Sequence, residues 1–180
     1  EEMALLPKEI KENLSVLMID TMGIFWSIKN PNEKGRSLLR DWKRPGDKKT
    51  LEPLGLPAKL FVPKAYMKAY KDTGVDVDFP LTLPCGELSA ADWIVTFGFS
   101  QIDSHGIAIE RNIKNVKNKY GEKFDIQDII KSIEADKRTE AIVKEALINR
   151  FEAAQGWGIF EKEGTPVSSI FQPGTASVID

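Results

Sequence analysis

The sequence predicts an α/β fold in which a partial parallel sheet is interrupted by an all-helical insertion bundle. Three observations carry that expectation. Two short apolar runs ending in aspartate, residues 15–20 (SVLMID) and 175–180 (TASVID), stand towards the two ends of the chain. Both are continuous rather than alternating, the pattern of parallel strands covered on both faces. Between them, apolar residues recur at helical spacing for about 65 residues, which needs several helices that each bury one stripe.

The first run is expected to be a strand. Asn32 can cap a helix over residues 33–42 that places Leu38, Leu39 and Trp42 on one side. Residues 43–58 are rich in proline, glycine and charge and read as a loop, followed by a strand at 59–62 (KLFV). Pro63 precedes a short helix at 64–71, with Gly74 as its terminator. Residues 75–83 are extended, and Pro80 and Pro84 limit their ladder pairing.

Helical texture starts at Ser89, where Ser89-x-x-Asp92 resembles a capping arrangement ahead of Trp93, Ile94 and Phe97. Ser104 is the expected cap of a helix bearing Ile109, Ile113, Val116 and Tyr120, ended by Gly121. Asp125 leads Ile126, Ile129, Ile130 and Ile133. Thr139 leads a longer helix with Ile142, Val143, Ala146, Leu147 and Phe151, which stops near Gly156. Strand texture returns at 158–161, 167–171 and 175–180, with turns at Glu163-Gly164 and Gln172-Pro173-Gly174. The expected organisation is therefore 1–85 as part of an α/β core, 86–157 as the helical bundle and 158–180 as a return to core strands. A chain that closes on an aspartate at a strand end reads as a piece of a longer protein, because that strand's neighbours would lie elsewhere.

Composition narrows the function classes. At 42% hydrophobic residues the chain can bury a core, and it contains no apolar run of membrane-spanning length. The acidic start lacks the basic and apolar regions of a signal peptide. One cysteine among 180 residues can neither staple a fold nor build a zinc site. A reduced, cytoplasmic setting is expected. The net charge of -2 gives no overall sign of nucleic-acid binding.

Two stretches are nevertheless basic. Residues 29–49 hold eight Lys/Arg against three acids, a net +5, and 110–123 hold five against two, a net +3. Arg36, Arg40, Lys43 and Arg44 are the candidate DNA contacts in the first; a solvated charged face is the alternative for both. In Asp20-Thr21-Met22-Gly23-Ile24-Phe25, a carboxylate ends a strand just before a glycine turn, where open α/β sheets bind ligands. The same aspartate could equally cap its own turn. Asp76-x-Asp78 lacks the further oxygens a metal needs and reads as a solvated strand. Cys85 and His105 have no spacing that supports a dyad. No metal site is expected. Nor does any G-x-x-x-x-G-K-[ST] or strand ending in Asp-Glu occur, so the phosphate cradle and acidic pair of P-loop hydrolysis are missing.

Four patches, in order, resemble the HerA-like ATPases of the FtsK–HerA superfamily. Leu14–Ser27 (LSVLMIDTMGIFWS) resembles the strand after the P-loop helix, which in the family continues Asp-Pro-His-Gly-Glu-Tyr. Gly86-Glu87-Leu88-Ser89-x-x-Asp92-Trp93 resembles the entry into the helical insertion, and Phe124–Ile130 (FDIQDII) a motif inside it. Pro173–Asp180 (PGTASVID) resembles the strand that precedes Walker B. The resemblance implies a P-loop-type parallel sheet in an internal piece of an archaeal or bacterial hexameric ring ATPase that translocates DNA as a helicase-like motor. It implies ATP and Mg²⁺ bound in the parent but no cofactor in this piece, which would be inactive alone. Other ring subunits, DNA and a NurA-type nuclease are the implied partners. Of the family's nucleotide-side positions only Asp20 and Gly23 match; its His falls on Met22 and its Glu on Ile24, and no catalytic residue is assigned. A stand-alone helical protein-interaction module is the alternative.

Overall fold

A computed structural model describes residues 6–35, 53 and 55–180. The chain is mixed α/β and divides into two units. One is drawn from Glu1–Val62, Met67–Pro80 and Pro166–Asp180, the other from Pro63–Tyr66 and Leu81–Thr165.

The first unit is built on a four-stranded, mostly parallel sheet. β1 (Val16–Ile19), β2 (Ala58–Pro63), β3 (Phe79–Leu81) and the last strand of the chain, β6 (Ala176–Ile179), lie in the order β1-β6-β2-β3. β6 runs parallel to both neighbours, with Ile19 opposite Ile179 and Phe61 opposite the same residue on the other side. Flanked by a strand on each side, β6 buries Ala176, Ser177 and Val178 completely. β1 was expected to be covered on both faces, but it stands at the sheet edge and is only half-buried, with Ile19 70% exposed. A continuous apolar run does not distinguish a central strand from an edge strand; neighbours do. At the opposite edge β3 carries Pro80, a residue that has no N–H to give a ladder and is tolerated at an edge.

Leu60, Val62, Val77 and Val178 form the core of this unit, with Met18, Ile28, Met67, Tyr70 and Val75 against them. Met67 and Tyr70 come from α2 (Met67–Asp72), which closes through Gly74 at φ +83°. A four-residue helix, α1 (Lys8–Lys11), precedes β1. Of the helix expected over 33–42 only the start is described, a 3-10 turn at Glu33–Gly35; Leu38, Leu39 and Trp42 lie outside the described residues. Where the sequence pattern predicts a strand at 167–171, Val167–Ile170 is a short helix, α7. Pro166 opens it, and both the amide and the hydroxyl of Ser169 donate to the Pro166 carbonyl. Such local bonds give serine-rich backbone an alternative to a sheet ladder.

The second unit is a helical bundle beside a small two-stranded sheet. Its helices are α3 (Ala90–Phe97), α4 (Ser104–Tyr120), α5 (Ile126–Ala135) and α6 (Ala141–Gln155). Ser89 and Asp92 form a reciprocal capping box on α3, and Asp125 and Asp128 form another on α5. The cap of α4 is Asp103 rather than Ser104, because its carboxylate accepts the Gly106 amide at 2.8 Å. Nor does Thr139 cap α6; its hydroxyl donates to Asp136 at 2.6 Å, and the helix starts at Ala141.

Ile109, Ile113, Val116, Ile129, Ile130, Ile133, Val143, Leu147 and Phe151 are all buried together, as helical spacing demands. Tyr120 and Ile142 leave that face, Ile142 being 75% exposed. Val143, Leu147, Phe151 and Ala154 hold the stripe of α6, and Ile142 lies one residue, about 100°, off it. The sequence pattern assigns residues 158–161 to the core strands. Instead β5 (Phe160–Glu161) pairs in parallel with β4 (Leu83–Pro84), within the same unit as the bundle.

Candidate functional site

The register of β1 on β6 places Asp20 and Asp180 next to each other at the C-terminal ends of two parallel strands. Asp20 donates its amide to the Ile179 carbonyl at 2.6 Å, while the Asp180 amide reaches across to Phe61 of β2 at 3.1 Å. Strand C-terminal ends are where open parallel sheets place their ligands. What the two carboxylates do there is different.

Asp20 is buried and turned back onto its own chain. Its oxygens accept the amides of Phe25 at 2.6 Å and Met22 at 3.2 Å. Burial acts to raise its pKa, but the amides of Phe25, Met22, Ile24 and Gly23 outweigh that and hold it below the usual carboxylate range. Gly23 permits the turn, since its φ of +64° disfavours any side chain. A Cβ at Gly23 would also stand 3.7 Å from the Asp180 carboxylate. Asp180 responds in the opposite sense. Burial raises it, the Tyr70 hydroxyl acts against that without reversing the shift, and the Asp20 charge raises it further. Tyr70 is raised too, by burial first and then by Asp180 and Asp20.

Both nucleotide-side candidates, Asp20 and Gly23, therefore meet at one sheet end, joined by Asp180 and Tyr70. Tyr70 had no signal in the sequence. The backbone amides that could cradle an anion are filled by the protein's own carboxylate. Among the described residues, no group of three or more His, Cys, Asp or Glu side chains could hold a metal ion.

The other singled-out residues resolve into structural roles. Asp76 and Asp78 are an anionic seat for one lysine: Lys29 Nζ lies 2.9 Å from a carboxylate oxygen of each and 2.6 Å from the Asp76 carbonyl. Asp78 also accepts the Leu60 amide at 2.6 Å, which ties the clasp to β2. This engages Lys29, the first cation of the basic stretch. Arg36, Arg40, Lys43 and Arg44 lie outside the described residues. His105 stacks on Phe99 at 4.5 Å, with Nδ1 4.0 Å from Asp103. Cys85 is in the bundle core, its thiol pushed up to about 12, chiefly by burial and then by nearby carboxylates. A buried neutral thiol is a poor nucleophile. Native protein should therefore react negligibly with a disulfide reagent such as DTNB at pH 8, with one equivalent released on denaturation; rapid native labelling would contradict this placement.

In the second basic stretch Arg111 does not face solvent as a phosphate ligand would. Its Nε and Nη2 bind one oxygen of Asp136 at 2.9 and 2.7 Å. Asn112, fully buried, joins them through Nδ2 at 3.3 Å and accepts the Ser132 hydroxyl at 2.8 Å. The Arg138 amide and Thr139 hydroxyl complete the shell of Asp136. Sequence held one clue to this hub: Asn112 falls at helical spacing among Ile109, Ile113 and Val116, a polar group on an apolar face that requires partners. Lys114 and Lys119 remain exposed, and Lys123 is 3.6 Å from Glu163.

No family model, curated protein or solved structure matches the chain. No helix among the described residues is long and apolar enough to cross a membrane.

Proposed function

We propose that the chain is an internal part of a HerA-like hexameric ATPase that translocates DNA, contributing strands of a P-loop-type sheet and the helical insertion. The single observation that carries this reading is the parallel pairing of β1 with β6, each followed directly by an aspartate, across the long helical excursion between them. Both strands bear the family-like patches, and parallel strands with ligand-facing C-terminal ends are what a P-loop sheet requires. In this reading the phosphate cradle lies upstream, Walker B lies downstream, and Asp20 shapes the turn instead of binding nucleotide. ATP and Mg²⁺ belong to the assembled ring, whose partners are its own subunits, DNA and a NurA-type nuclease.

The test has two arms. Residues 1–180, titrated with labelled ATP and Mg²⁺, should show no saturable binding, because no cradle is present. A micromolar site abolished by Asp20→Ala would overturn the reading. The natural reading frame should carry a Walker A motif within about 30 residues upstream, and the longer product should hydrolyse ATP faster with DNA. A frame without that motif would instead favour a helical protein-interaction module. That second reading draws on the solvent-facing Val95, Ile102 and Ile107 of the bundle unit, of which Ile102 is 89% exposed.

A further inference from the structure

We draw no further inference here: the strongest candidate, the exposed apolar turn of Met22, Ile24, Phe25 and Trp26 beside Ile19 at the β1 edge of the sheet, carries none because nothing among the described residues shows what covers it.

Discussion

Phe151→Ala should lower the unfolding free energy by about 3–5 kcal/mol, the range for truncating a buried phenylalanine. Phe151 is 0% exposed, and its ring stands 5.1 Å from Trp93 and 5.0 Å from Phe97, nearly perpendicular to the latter. Removing it opens a void between α3 and α6 that these rigid rings cannot refill, and it loses the edge-to-face contact as well. Because whole domains are held by only about 5–15 kcal/mol, the alanine variant could lack a measurable transition. Phe151→Leu, which keeps most of the volume, supplies the graded comparison and should cost well under half as much. Ile142→Ala, on the exposed side of the same helix, should change stability by less than about 0.5 kcal/mol. Urea melts followed by far-ultraviolet circular dichroism would measure all three. A loss below about 1 kcal/mol for Phe151→Ala would mean that α6 presents another face to the core.

Asp136→Asn should cost about 3 kcal/mol at neutral pH, the lower end of what breaking a buried ion pair costs. The Asp136 side chain is almost fully covered, and Arg111 keeps only a fifth of its exposure to water. The variant leaves the guanidinium beside a neutral amide and forces Thr139 and Asn112 to find other acceptors. The pH dependence separates the charge from the shape. Burial would raise Asp136, but the hydrogen bonds from Thr139, the Arg138 amide, Arg111 and Asn112 outweigh it and hold the carboxyl well below its ordinary value of 3.8. A depressed folded pKa gives stability that is complete above the unfolded value and lost as pH falls through the folded one. The gap between wild type and Asp136→Asn should thus stay constant from pH 7 to about 5 and narrow below about 4. A gap that persists unchanged down to about pH 2.5 would show that the hub does not depend on the ionised form.

These two residues also separate what was legible in the sequence from what was not. Phe151 could be placed in the core from spacing alone, since a helix repeats every 3.6 residues and the stripe through Val143, Leu147 and Phe151 meets that period. The capping arrangement at Ser89 was equally visible, because it is a contact between residues three apart. Thr139 and Ser104 misled for the same local reason: each is a good cap by type, but Thr139 was drawn into the Asp136 hub and Asp103 offered the better-placed carboxylate.

By itself, then, the sequence determined the helical stripes, most strand positions and the absence of a phosphate-binding loop, all properties of residues close together along the chain. Only the tertiary structure decided that β1 is an edge strand and that Asp20 and Asp180 stand side by side with Tyr70. It likewise decided that Lys29 pairs with both Asp76 and Asp78 and that Arg111 serves Asp136 rather than a phosphate. Each of these pairs residues 25 to 160 positions apart or depends on which strand lies next to which. Local propensity carries no information about such neighbours; long-range packing and the solvation of buried charge select them.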